Sequence, residues 1–331
     1  MNLKTVKEIG EQGLLKKLQS FCPSEIIGDD AAVLEMEAGY SLVVTTDMLV
    51  DGVHFSDRTT SPEDVGWRAV AANLSDLAAM GASGIGITVA LGLRGDVTVS
   101  WVESLYRGMY DCLQRYQIPI VGGDICRSST ITIAITAFGR VLPQGIIRRS
   151  FAQPGDAIAV TGSHGCSRAG LELLLYPEKG QNLPVNLRKT LIEAHQRPQP
   201  RLDVLEHLEM IVRARSLAGM DSSDGLADAI VQICRCSGVG AQVERQAIPI
   251  SPALSQFVPP EQALEYALYG GEDFQLVLCL PPQLAQALVE CLGQGAAIIG
   301  KITTETTIEL IDRNGVVPPR QLTLAEGFQH F

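Results

Sequence analysis

Acidic residues punctuate this chain where its apolar segments give way to short polar loops. Asp29 and Asp30 stand in IGDDAAV, Asp47 in VVTTDMLVDGVHF, Asp76 in NLSDLAAMGA, Asp124 in VGGDICR, and Asp221 and Asp224 in MDSSDG. A loop aspartate taken singly reads as a turn residue or a helix cap. Repeated beside Thr, Ser and Gly, aspartates instead suggest oxygen ligands for Mg²⁺ gathered at the ends of buried elements. Asp76 is the most telling, because it falls late in an apolar helix, where the negative C-terminal end disfavours an acid unless a cation is near. Asp47 follows Thr45 and Thr46, so three oxygen side chains are expected to converge there. Gly122 and Gly123 ahead of Asp124 would let the backbone approach a ligand closely.

The apolar segments alternate between strand and helix character. A helix is expected over about 5–19, and SLVVTT reads as a strand buried on both faces. The helix of SPEDVGWRAVAANLSDLAAMG should start at Ser61 with Asp64 completing a capping box, and stop at Gly81. SDGLADAIVQICRCSG should be a helix capped by Ser223 or Asp224 and ended by Gly238. YGGEDFQLVLCL reads as a turn feeding a strand, and TIELIDRNGVV as a closing hairpin around Asn314-Gly315. With 331 residues, two domains are expected, 1–150 and 151–331, meeting at the Pro- and Gly-containing stretch PQGIIRRSFAQPGD. Each should be α/β (α+β), a mixed sheet flanked by helices.

Several function classes lose support. A net charge of -11 without a basic block argues against a nucleic-acid partner. No apolar run approaches the ~18 residues of a membrane span, and the first helix lacks a signal core, so a cytoplasmic protein is expected. The eight cysteines form no CxxC pair and read as inert thiols. Cys234 and Cys236 should lie on different faces of their helix. GAAIIGKI, residues 295–302, fits GxxxxGK, yet Ile302 stands where a P-loop needs Ser or Thr, and its apolar interior reads as a strand. Rossmann, HExxH and GxSxG motifs are missing.

IGDDAAV, TTDMLVDGVHF, NLSDLAAMGA, GGD, RSFAQPGD, MDSSDGL and GGEDF occur in this order along the chain. In order and spacing they resemble the thiamine-monophosphate kinases, over essentially the whole chain. The wider group includes aminoimidazole ribonucleotide synthetase, selenophosphate synthetase and hydrogenase maturation protein E. The resemblance implies a two-domain aminoimidazole ribonucleotide synthetase-like fold. It also implies ATP-dependent phosphorylation of thiamine monophosphate to thiamine diphosphate, with several Mg²⁺ ions per site and ATP as co-substrate. By the same resemblance Asp30, Thr45, Thr46, Asp47, Asp76, Asp124, Asp221 and Asp224 hold metal. Tyr106, Gly123, Asp124, Arg149 and Ser223 contact ATP, with Arg148 the competing arginine. His54, Glu272 and Phe328 contact thiamine monophosphate. A homodimer is implied, the first-half sheets packing together and the second half completing the active site.

The acceptor, a phosphate monoester, is largely dianionic at neutral pH and needs little help from a general base. Catalysis should then rest on positioning and charge neutralisation, by direct in-line transfer with no phosphoenzyme. Two alternatives stay open: another ATP-using member of the group, or a thiamine-phosphate-binding regulator without turnover. Selenophosphate chemistry should need a reactive Cys near the N-terminus, and Cys22 lacks a Gly-rich or basic setting. A hydrogenase-maturation protein should end in cysteine, whereas this sequence ends in Phe331.

Overall fold

The computed structural model describes residues 4–23, 26, 32, 34–212 and 217–324; Asp29, Asp30 and Phe328 lie outside the described residues. The chain divides into two compact units, Met1–Leu77 with Ser83–Val141, and Ala78–Ala82 with Leu142–Phe331.

The first unit runs α1 (Val6–Leu18), β1 (Ser41–Val50), α2 (Pro62–Ala79), β2 (Ser83–Leu93), α3 (Val99–Gln114), β3 (Ile120–Arg127) and β4 (Thr132–Val141). Its described strands form a four-stranded sheet in the order β1-β4-β2-β3, so β1 and β3 are the edges. Strand β4 alternates strictly, burying Ile133, Ile135, Ala137 and Val141 on one face. Helix α2 starts as its sequence predicts: the Ser61 hydroxyl donates to the Asp64 carboxylate at 2.6 Å and accepts the Asp64 N–H at 3.2 Å. Helices α2 and α3 touch backbone to backbone. A Cβ at Gly66 would lie 1.9 Å from the Leu105 carbonyl oxygen, and one at Gly108 1.7 Å from that of Glu63.

Strand β1 is not buried on both faces, as its apolar run suggested. Leu42, Val44 and Met48 are 53%, 54% and 53% exposed, alternating with the half-buried Val43, Thr45 and Asp47. It meets α2 through the face that carries Thr45 and Asp47, while Leu42, Val44 and Met48 share the other face with Ala90 of the central strand β2, which is exposed as well.

In the second unit the described strands are β5 (Ile147–Arg148), β6 (Ala157–Val160), β7 (Leu217–Asp221), β8 (Gly240–Glu244), β9 (Leu276–Leu280), β10 (Ala297–Thr303), β11 (Ile308–Ile311) and β12 (Arg320–Gln321). They form one mixed sheet in the order β12-β11-β8-β10-β6-β9-β7-β5. The helices are α4 (Cys166–Leu175), α5 (Val185–Gln196), α6 (Asp203–Val212), α7 (Leu226–Ser237), α8 (Pro252–Phe257), α9 (Pro260–Tyr269) and α10 (Pro282–Leu292).

This sheet is covered on both faces. Ile158, Val160, Val277 and Cys279 pack with Ile230 and Ile233 of α7 and Leu264 of α9. Ala157, Ala159, Leu276, Leu278 and Leu280 pack with Val204 and Leu208 of α6 and Leu288 of α10. That two-sided burial explains why LVLCL is apolar at every position. The GxxxxGK look-alike falls in β10, hydrogen-bonded between β6 and β8, and so forms no phosphate loop. Cys234 is buried and Cys236 exposed. The closing hairpin forms between β11 and β12. Among the described residues no helix is long and apolar enough to cross a membrane.

Candidate active site

In the first unit the expected metal residues are sorted by the pleat of the sheet. The Thr45 hydroxyl donates to the Asp76 carboxylate. Asn73, one turn earlier on α2, donates its amide to the Ala69 carbonyl at 2.9 Å, which aims its Oδ1 at the Asp47 backbone N–H, 3.1 Å away. Thr45, Asp47, Asn73 and Asp76 thus gather between β1 and the late turns of α2. Thr46 does not join them. Its hydroxyl lies 2.6 Å from that of Thr136 and donates to the Ile135 carbonyl at 2.9 Å. Successive strand residues face opposite ways, so the expected convergence of three oxygen side chains around Asp47 is corrected to two.

Asp124 also departs from expectation, since it lies inside β3 and not in a loop after it. Pairing with β2 carries the strand through the two glycines to Arg127. The missing Cβ of Gly123 accommodates the Val89 carbonyl, which a side chain would approach to 2.1 Å, so strand pairing already uses the close approach expected there for a ligand. Asp124 is in register with Ala90, Ala134 and Met48 across the sheet, the face that carries Thr46. Asp47 and Asp124 therefore stand on opposite edge strands and opposite faces, three strand spacings or roughly 14 Å apart.

His54 sits in the turn after β1. It accepts the Val50 N–H on Nδ1 at 3.1 Å, which leaves Nε2 as the protonated nitrogen of the neutral ring. Tyr106 is 5% exposed on α3, its ring 5.7 Å from that of Phe21, and burial pushes its phenol well up.

In the second unit Asp221 closes β7 and is buried, accepting the Ser223 hydroxyl at 3.2 Å; Asp224 is exposed. Neither Ser223 nor Asp224 caps α7, as one of them was expected to. Gly225 is the N-cap, at a φ of 113°, with no side-chain cap hydrogen bond. Its N–H bonds the Ser222 carbonyl at 3.1 Å, in a turn that only glycine enters freely.

The GGEDF loop presses on this turn: the Glu272 N–H donates to the Ser223 carbonyl at 2.6 Å. Gly271, Glu272 and Phe274 all have positive φ, at 67°, 57° and 49°, and this bend sends the two neighbouring acids apart. Glu272 is part-exposed, whereas buried Asp273 accepts the N–H groups of Gly165 at 2.6 Å and Ser167 at 3.0 Å, fixing the start of α4. Burial pushes its carboxyl up to about 7 against the pull of those donors. Arg149 is exposed and donates to Gln232 at 2.5 Å; Arg148 beside it is also exposed.

Sequence reasoning missed the structural work of Asp273 and of buried His164, whose Nε2 lies 3.0 Å from the Ser222 hydroxyl. Only an acid directly ahead of the apolar FQLVLCL run hinted at a buried carboxylate. Among the described residues no three His, Cys, Asp or Glu side chains stand close enough to hold a metal ion alone.

Residues 28–141 match the AIR synthase related protein, N-terminal domain, and residues 153–313 match the AIR synthase related protein, C-terminal domain. The thiamine-monophosphate kinase of Synechococcus elongatus is 52% identical, over 100% of this chain and 99% of its own length. The crystal structure of thiamine-monophosphate kinase from Stenotrophomonas maltophilia is similar with a TM-score of 0.79 at 32% identity, covering 89% of this chain and 94% of that one. A structure described as AaThiL complexed with AMPPCP and TMP is similar with a TM-score of 0.72 at 32% identity, covering 97% of this chain and 99% of that one.

Proposed function

The chain belongs to the AIR synthase related proteins and, within them, to the thiamine-monophosphate kinases, and from that premise we propose how its residues serve ATP-dependent phosphorylation of thiamine monophosphate to thiamine diphosphate. The observation that carries the reading is the cluster of Thr45, Asp47, Asn73 and Asp76, an all-oxygen set that suits a hard divalent cation. The Thr45 hydroxyl orients the Asp76 carboxylate, and the Asn73 carboxamide fixes the Asp47 backbone, before any ion arrives.

We assign Thr45, Asp47 and Asp76 to Mg²⁺, together with Asp30, which lies outside the described residues. Thr46 and Asp124 are assigned from the opposite sheet face, and Asp221 and Asp224 from the second unit. Bound magnesium would supply Lewis-acid polarisation and neutralise charge on the phosphates. Ser223, Gly123, Arg149 and Tyr106 are assigned to ATP, Tyr106 needing to turn its hydroxyl outward from the Phe21 contact. His54 and Glu272 are assigned to thiamine monophosphate, with Phe328 beyond the described residues offering an aromatic face to its cationic ring. No side chain is required as a nucleophile, because the dianionic acceptor attacks directly and in line.

A homodimer completes this reading. Two ligands of one Mg²⁺ stand no more than about 4.2 Å apart, so Asp47 and Asp124 of a single copy cannot share an ion. The exposed, apolar Leu42, Val44 and Met48 lie on the face that carries Asp124. A second copy packed on that face buries them, and with its β3 edge set beside the β1 edge of the first its Asp124 reaches the Asp47 centre around that edge. We place the enzyme in the cytoplasm.

The test is to mix protein, Mg²⁺, ATP and thiamine monophosphate and to assay thiamine diphosphate. Product formation with no labelled protein during a single turnover supports the reading. A trapped phosphoenzyme overturns in-line transfer, and absence of product with both ligands bound favours a regulator.

A further inference from the structure

His195 has no part in the phosphoryl-transfer chemistry, yet it underlies a residue assigned to substrate. It stands in the last turn of α5, 3% exposed. Its Nδ1 lies 3.1 Å from the Ser167 hydroxyl and 3.6 Å from Glu272 Oε2. Ser167, in the first turn of α4, is 1% exposed, whereas the Glu272 side chain is 37% exposed. A carboxylate oxygen only accepts, so its approach to Nδ1 favours the form in which Nδ1 carries the proton. That proton is held in the hydrogen bond with Ser167, and Glu272 Oε2, beyond hydrogen-bond range, stands at ion-pair distance from it.

The donor is rigid where the acceptor is not. Helices α4 and α5 pack closely around His195: a Cβ at Gly170 would lie 2.0 Å from the Leu191 carbonyl oxygen and 3.0 Å from the His195 Cβ. Glu272 instead rides on the positive-φ loop, fixed along its backbone through Ser223. One carboxylate oxygen thereby faces the imidazole, while the exposed part of the side chain can meet a ligand.

We propose that His195 is a positioning residue for Glu272, holding its carboxylate to accept from an N–H donor on the heteroaromatic part of thiamine monophosphate. The proposal rests on the assignment of Glu272 to substrate. A pre-aimed carboxylate does not have to be ordered when substrate binds, so loss of the aim weakens binding of this substrate more than turnover.

The experiment measures kcat and both KM values of the full-length enzyme with Mg²⁺, alongside melting temperature. His195→Phe keeps a ring of similar shape without the donor; it should raise KM for thiamine monophosphate by about tenfold and leave kcat and KM for ATP nearly unchanged. His195→Asn, which restores a donor, should recover most of the loss. His195→Phe with Glu272→Gln should be no worse than Glu272→Gln alone, because a residue acting through Glu272 has nothing left to position. Additive losses in the double variant overturn the proposal. So does a His195→Phe enzyme of unchanged KM in which Glu272→Gln is impaired, or one in which melting temperature and both KM values worsen and Asn rescues none of them. If Glu272→Gln itself leaves KM unchanged, the assignment of Glu272 to substrate fails first and the proposal falls with it.

Discussion

The Thr45 hydroxyl donates to the Asp76 carboxylate across 31 residues of sequence, joining an edge strand to the late turns of the helix that covers it. The contact explains how an acid is placed near a helix C-terminus, where the helix dipole alone disfavours it. The hydroxyl offsets part of that cost, and a cation would offset the rest.

Asp47→Asn and Asp76→Asn should each lower kcat by about 100-fold or more while leaving the circular-dichroism spectrum and melting temperature close to wild type. Thr45→Val should act more mildly, raising the Mg²⁺ concentration needed for half-maximal rate. Near-normal turnover in Asp47→Asn would count against the metal assignment.

Asp47 and Asp124 lie on opposite edges of one sheet, so copies carrying either lesion should complement each other. Asp47→Asn and Asp124→Asn are expected to be inactive alone. Unfolded together and refolded at equal amounts, they should regain about a quarter of wild-type activity, since half of the dimers are mixed and one of the two sites in each is intact. No recovery would mean that each copy serves its own ions.

Val44→Asp places a charge in the exposed apolar stripe of β1. Sedimentation velocity should show the dimer replaced by monomer, with activity lost in proportion. A monomeric wild type would remove the basis for this expectation.

Gly271→Ala should strain the loop twice. The position has a φ of 67°, and a Cβ would meet the Ser223 carbonyl oxygen at 2.8 Å. Urea unfolding should show a loss of about 1–3 kcal/mol, and KM for thiamine monophosphate should rise as Glu272 shifts.

His164 and Asp273 should give opposite pH dependences of stability. Burial lowers His164 from 6.5 to about 4, so between these values the unfolded chain binds a proton that the native one does not, and stability rises with pH. Burial raises Asp273 from 3.8 to about 7, so there the native chain binds the extra proton and stability falls as pH rises. Urea midpoints between pH 4.5 and 7.5 should slope upward in Asp273→Asn relative to wild type and downward in His164→Gln. Parallel curves for all three proteins would rule the two groups out.

What was legible locally was read correctly for a physical reason. The Ser61–Asp64 cap depends on residues three apart, the opposite placement of Cys234 and Cys236 on helical period, and the all-apolar LVLCL on two-sided burial. SLVVTT carries the same apolar signal but lies in a sheet with one exposed face, and no local pattern tells whether a second layer will cover a strand. The split between Thr45 and Thr46 followed from the strand period, once TTD was known to lie within β1 and not beyond its end. His195 meets Glu272 only because α5 is docked on α4, and IEAHQRP carries no sign of that.

The sequence by itself determined the family, the alternation of strands and helices, and the order of the acidic motifs, because these are written in residue type and short-range period. Only the tertiary structure decided which acids share a face. Strand order sets Asp47 and Asp124 at opposite edges, and the bend at Gly271 and Glu272 turns one of two adjacent carboxylates outward and the other into the core. Facing depends on pleat and pairing with distant segments, and these exist only once the chain has folded back on itself.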